Sequence, residues 1–150
     1  MGAGFQFENE VYCLKCNNFN TAIVASTRYP ASVSFIDMQG INHGVFLIAA
    51  GTLTTAANWQ VYQDTSATET SDIKVITSAV AAELDTDDNT WFTVEFDAED
   101  LDRANGFRYV TIVPSAGTGS DDYACIFFLG FNNKKTPVTQ SSSYFYHVSV

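Results

Sequence analysis

Three cysteines, two histidines and a set of clustered carboxylates are what this chain offers for chemistry. Cys13-Leu14-Lys15-Cys16 has the spacing of a zinc knuckle or a redox dithiol. Zinc needs two more ligands, and Cys125, His43 and His147 each stand alone in the sequence. No βαβ pattern follows the pair, as a thioredoxin-type site requires, so ordinary thiols are the expectation. Asp85-Thr86-Asp87-Asp88-Asn89 begins like a calcium loop, with oxygen ligands at alternate positions. Thr90 then stands where the sharp turn needs glycine, and Phe96 where the bidentate glutamate belongs. An Asp-rich loop is the default there, with a loose surface cation site as the alternative. No metal and no cofactor are expected.

Nucleophilic catalysis needs a base held beside the nucleophile. His43 lies in an Asn42-His43-Gly44 turn, and no GxSxG elbow surrounds any serine. Glu95, Asp97 and Glu99 are the carboxylates available for glycoside chemistry. A single short segment rarely supplies both faces of a sugar ring, and Asp97 is already suited to capping. Trp59 and Trp91 are the candidates for stacking on a sugar, but both sit in alternating apolar patterns that favour core packing. The chain does not read as an enzyme.

Seven Lys and Arg against 17 Asp and Glu give a formal charge of −10, which repels phosphate backbones and argues against free nucleic-acid binding. No apolar run is long enough to cross a bilayer, so no membrane partner is expected. An odd cysteine count without a basic-then-apolar leader points to free thiols and assembly in a reducing cytoplasm.

The elements that must position these groups are strands. The 150 residues fit one domain, and 46% are hydrophobic against 16% charged, with twelve Phe, a mix that favours strands over helices. Phe92, Val94 and Phe96 alternate with polar residues. Asp97, with Asp100 three residues on, caps one helical turn over Ala98 to Leu101. Asn105-Gly106 supplies a positive-φ pair that turns the chain into a strand from Phe107 to Val113. Gly44 to Ala50 and Tyr123 to Gly130 are apolar on both faces and predict interior strands. The second of these is expected to pair near Phe107 to Val113, with Tyr109 and Phe127 in the core. Ser32 to Met38, Trp59 to Gln63 and Ile73 to Ile76 read as further strands; Ser78 to Leu84 fits either a helical turn or extended chain. The expected fold is an all-β, two-sheet antiparallel sandwich, jelly-roll-like. Residues 1–20 form an N-terminal arm or edge strand, 21–131 the sandwich, and 132–150 a polar link and an aromatic segment.

The order GVFLIAAGTLTTAANWQVYQD, IKVI, VEFDAEDLDRANGFRYVTIV, YACIFFLG resembles a group of small virion proteins of tailed phages. There, an apolar strand ending in AAG-x-L precedes a segment like DAE-x-LD-x-x-x-GF-x-YV, as Asp97-Ala98-Glu99, Leu101-Asp102, Gly106-Phe107 and Tyr109-Val110 stand here. The similarity runs from about Gly44 to Gly130 and leaves out both termini. It implies a capsid cement (decoration) or related head-associated protein on the outer capsid surface of the virion, stabilising the head by bridging subunits of the major capsid protein. A tail- or fibre-associated glycan-binding module is the alternative. Exposed aromatic tails mark interaction sites, so Phe5, Phe7, Tyr12, Tyr144, Phe145, Tyr146 and Val148 are the expected interface residues. A homo-oligomer, dimer or trimer, is the further expected partner.

Overall fold

The computed structural model describes residues 11–18, 21–31, 34–54, 56–68, 73–83, 88–115 and 118–132. Among them are nine strands: β1 (Tyr12–Lys15), β2 (Ala22–Val24), β3 (Ile36–Asp37), β4 (His43–Ala50), β5 (Ala57–Asp64), β6 (Lys74–Glu83), β7 (Trp91–Asp97), β8 (Tyr109–Pro114) and β9 (Thr118–Phe131). One sheet runs β1-β9-β4-β7, with β2 also on β9, and the other runs β3-β8-β5-β6. Every pairing is antiparallel.

β1 and β2 follow one another along the flank of β9 that β4 leaves open. Taken as one interrupted edge, they complete a nested order: the first edge lies beside β9, β3 beside β8, β4 beside β7, and β5 beside β6. That wrapping is a jelly roll. The chain is therefore an all-β, two-sheet antiparallel sandwich, as its strand pattern predicts.

The core lies between the sheets and follows the period-two alternation of the strands. β4 directs Phe46, Ile48 and Ala50 inward, β9 directs Ala124, Ile126 and Phe128, and β5 and β8 answer with Trp59, Val61, Val110 and Ile112. Burying each large side chain of this kind stabilises the fold by about 1.5–3 kcal/mol. Phe46 meets Phe128 edge-on at 5.2 Å and stacks on Phe96 at 6.1 Å. Gly44 and Gly130 face each other across the β4–β9 ladder beneath this cluster. A Cβ on Gly44 would lie 2.5 Å from Cζ of Phe96, so the missing side chain is what admits the ring.

Several elements differ from expectation. β9 pairs with β4, β1 and β2 in the sheet opposite β8, because the polar link after β8 carries the chain across the sandwich. Tyr109 and Phe127 are only half-buried, while Val110 and Phe128 are fully buried. A segment apolar on both faces does not reveal which face is inside. β6 is one continuous extended strand through Glu83, with a register shift opposite Gln60 and Tyr62. β3 is reduced to Ile36–Asp37, and residues 32 and 33 lie outside the described residues. The turn after Asp97 is a 3-10 turn, Ala98–Asp100, where the Asp97 amide donates to Asp100 Oδ2 at 2.8 Å. A second 3-10 turn follows at Arg103–Asn105, and of the Asn105-Gly106 pair Gly106 alone, with φ 86°, is left-handed.

The N-terminal segment contributes a true edge strand. Tyr12, expected at an interface, instead faces the core and meets Phe128 edge-on at 6.2 Å, because it shares its side of β1 with Leu14 and the buried Cys16. Phe5 and Phe7, and Tyr144, Phe145, Tyr146 and Val148, lie outside the described residues. No helix among the described residues is long and apolar enough to cross a membrane.

Candidate interaction surface

Strand alternation decides what the β1-β9-β4-β7 sheet shows to its surroundings. With Phe46, Ile48, Ile126 and Phe128 inside, the positions on the other side of the sheet are His43, Val45, Leu47 and Ala49 on β4, and Tyr123, Cys125, Phe127, Leu129 and Phe131 on β9; of these Val45 is buried, Tyr123 exposed and the others half-buried. Register sets them side by side. Val45 is flanked by Leu129 and Glu95, Leu47 by Phe127 and Thr93, Ala49 by Cys125 and Trp91. An apolar band thus fills the two central strands, bordered by Cys13 and Lys15 of β1 and by polar residues of β7. Trp91 is 72% exposed and Tyr123 40% exposed. The outward positions of the other sheet are more polar, including Asn58 and Gln60 on β5 and Asp37 on β3.

Trp59 and Trp91 were both expected in the core, and they part company here. Trp59 is completely buried, whereas Trp91 begins an edge strand on its outward phase. The apolar outer face was present in the sequence as the continuous runs GVFLIAA and YACIFFLG. An apolar run buried on both sides within one chain and an apolar run that buries one side against a partner look the same in sequence.

The chemical candidates occupy structural positions. His43 sits at the end of the band opposite Asp97, with Nδ1 2.8 Å from Asp97 Oδ1 and Nε2 3.6 Å from Glu95 Oε2. Thr93 donates to Glu95 Oε1 at 3.2 Å rather than to the imidazole. Asp97 therefore holds the ring through Nδ1, while Glu95 stands near Nε2 without a hydrogen bond to it. Glu95 and Asp97 are brought together by this histidine; Glu99 lies beyond, in the 3-10 turn.

Cys13 and Cys16 are on opposite faces of the sheet, because an odd spacing on a strand reverses the side chain. Cys16 is buried toward the core, and Cys13 lies on the outer face. Burial pushes the Cys13 thiol up to about 11 and raises Cys16 and Cys125 as well. Protonated thiols pointing apart are neither a zinc pair nor a dithiol. Among the described residues no group of three or more His, Cys, Asp or Glu is arranged to hold a metal ion.

Asp85, Thr86 and Asp87 of the calcium-like loop lie outside the described residues. Asp88 is described, and its Oδ1 accepts from the Leu53 amide at 2.6 Å. Asp122, 1% exposed, accepts from the amide and hydroxyl of Thr54. Gly51 donates to the Tyr123 carbonyl at 2.7 Å, and Tyr123 donates back to Thr52 at 2.9 Å. These bonds fix the corner at Gly51–Thr54, where the chain passes from β4 to the opposite sheet.

Fold and surface together define a class: a jelly-roll sandwich with one apolar outer face and carboxylates used for bracing. No protein-family model, curated protein or solved structure matches the chain.

Proposed function

We propose that this chain is a structural virion protein, a capsid cement or decoration protein that stabilises a phage head by bridging subunits of the major capsid protein. The observation that carries the reading is the outer face of the β1-β9-β4-β7 sheet, where Leu47, Phe127, Leu129 and exposed Trp91 form one band. Jelly rolls serve as viral shell domains and as lectins, so the fold admits the role without choosing it. The band favours a large apolar partner over a small polar one, since a face of this composition marks protein contact. The sequence resemblance from Gly44 to Gly130 points the same way.

In this reading the partner is the major capsid protein, joined by further copies of this chain, and the place is the outer capsid surface after assembly in the host cytoplasm. The terminal segments carrying Phe5, Phe7, Tyr144, Phe145, Tyr146 and Val148 add contacts beyond the sheet face. Repeated contacts across a lattice offset the ordering cost of such segments.

The test is loading of purified protein onto capsid shells that lack it. Trp91→Ala and Phe127→Ser are expected to leave the protein folded while weakening loading at least tenfold. Undiminished loading of both variants would remove the sheet face from the account.

A further inference from the structure

We propose that two copies of this chain associate edge to edge through β7, extending the β1-β9-β4-β7 sheet across a two-fold axis at Val94. The inference stands without the cement reading, because it uses the edge of that sheet and leaves its apolar face open.

Register decides which backbone groups of β7 are already committed. Just beyond the two ends of the β4–β7 ladder, the Ala98 amide donates to the Asn42 carbonyl and the Ala50 amide to the Thr90 carbonyl, each at 2.8 Å. The ladder between them is unbroken, from His43 opposite Asp97 to Ala49 opposite Trp91. Successive residues of an antiparallel strand bond to opposite sides. Phe92, Val94 and Phe96 therefore bond β4, and Trp91, Thr93, Glu95 and Asp97 turn their backbone groups away from it. The Asp97 amide is capped by Asp100 Oδ2 at 2.8 Å. Among the described residues, none forms a ladder with β7 on that second side.

β7 also lacks the devices that keep sheet edges from pairing. β3 is only two residues long, β1 is four and ends in Lys15, and β6 carries Lys74 and a register shift. β7 runs regularly for seven residues with no Pro, Lys or bulge. Trp91, Thr93 and Glu95 are exposed along it, Trp91 by 72%.

A second copy is the occupant because the strand is complementary to itself. Antiparallel pairing about Val94 sets Thr93 opposite the partner's Glu95, and Trp91 opposite the partner's Asp97. Thr93 and Glu95 then exchange both backbone hydrogen bonds in each of two symmetric pairs, and each Trp91 amide donates to the partner's Asp97 carbonyl. No two carboxylates stand opposite one another. Centring on Glu95 would set two Glu95 side chains face to face, a destabilising like-charge pair. Centring on Thr93 would leave Asp97 beyond the end of the partner's strand. About Val94 the outward residues of both copies share one side, so the two apolar bands lie on one continuous sheet.

The experiment is sedimentation of the full-length protein, with amide hydrogen exchange on the same samples, from about 10 µM to about 1 mM. Sodium chloride at about 0.3 M screens the repulsion between two bodies of −10 each. A monomer–dimer equilibrium is expected. With rising concentration the amides of Trp91, Thr93 and Glu95 should gain at least about tenfold protection, while those of Phe92, Val94 and Phe96 stay protected throughout. Thr93→Lys, set opposite the partner's Glu95, should tighten the dimer at least about threefold, and Thr93→Glu should weaken it by at least as much. A monomer at every concentration, or a dimer that leaves the three outward amides unprotected, would overturn the proposal. Weakening by both Thr93 variants would set Thr93 opposite itself and overturn the axis at Val94.

Discussion

Single side chains decide the packing of this sandwich in ways that can be measured. Phe128 is completely buried among Phe46, Phe96 and Tyr12, whereas its neighbour Phe127 lies half-buried on the outer face. Phe128→Ala is expected to cost about 3–5 kcal/mol in denaturant unfolding, and Phe127→Ala at least about 2 kcal/mol less, because only the first leaves a closed cavity. Gly44→Ala is expected to cost about 1–3 kcal/mol, since its Cβ would sit 2.5 Å from the Phe96 ring in a filled core. A neutral result would mean that the ring can move aside. The thiols give a third measurement. With burial raising Cys13 to about 11, alkylation of the native protein at pH 8 should run at least about tenfold slower than for free cysteine, even after the greater nucleophilicity of a basic thiolate is counted. Fast native labelling of Cys13 would mean that its surroundings are more open than the structure shows.

At the level of elements, legibility followed the number of faces each segment buries. β5 and β7 alternate cleanly, and their inward residues, Trp59, Val61, Val94 and Phe96, could be assigned from sequence. Trp91 departs from the alternating pattern's core expectation because the first residue of an edge strand keeps the alternation but has no sheet over it. β9 resisted assignment more deeply, since Tyr123 to Gly130 is apolar throughout and carries no phase. Its pairing with β4 depends on the nested wrapping of the whole chain, which no local pattern encodes. The acidic stretch after β7 was legible as a cap, but its second turn was not, because Asp102 acts through distant partners. Its amide donates to Gln63 Oε1, and its carboxylate receives Lys74 and Asn105. The hydrogen bond from Lys74, then that from Asn105, holds the Asp102 carboxyl below its ordinary value. A carboxyl depressed in the folded state contributes stability above its unfolded value, about pH 4, and loses it as pH falls through the folded value. Lys74→Gln should therefore flatten the fall in stability on the acid side of pH 4. An unchanged acid limb would detach this pair from the pH dependence.

For the whole molecule, the two outer faces differ in character. The β3-β8-β5-β6 sheet shows a more polar surface suited to solvent, and the β1-β9-β4-β7 sheet shows the apolar band. The same continuous runs that announced interior strands also announced this face, but sequence alone cannot say whether the second covering layer is the same chain or another. Among the described carboxylates, Asp97 holds His43, and Asp88 and Asp122 accept hydrogen bonds at the Gly51–Thr54 corner. Under the proposed function, an acidic sandwich with one apolar band on an outer face suits a part that is present many times on a lattice. The most direct measurement of the central claim is the copy number of this protein in purified virions, by quantitative mass spectrometry against the major capsid protein. A cement protein is expected at a copy number comparable to that of the capsid subunit. Only a handful of copies per particle would contradict the account and assign the chain to the tail or its fibres.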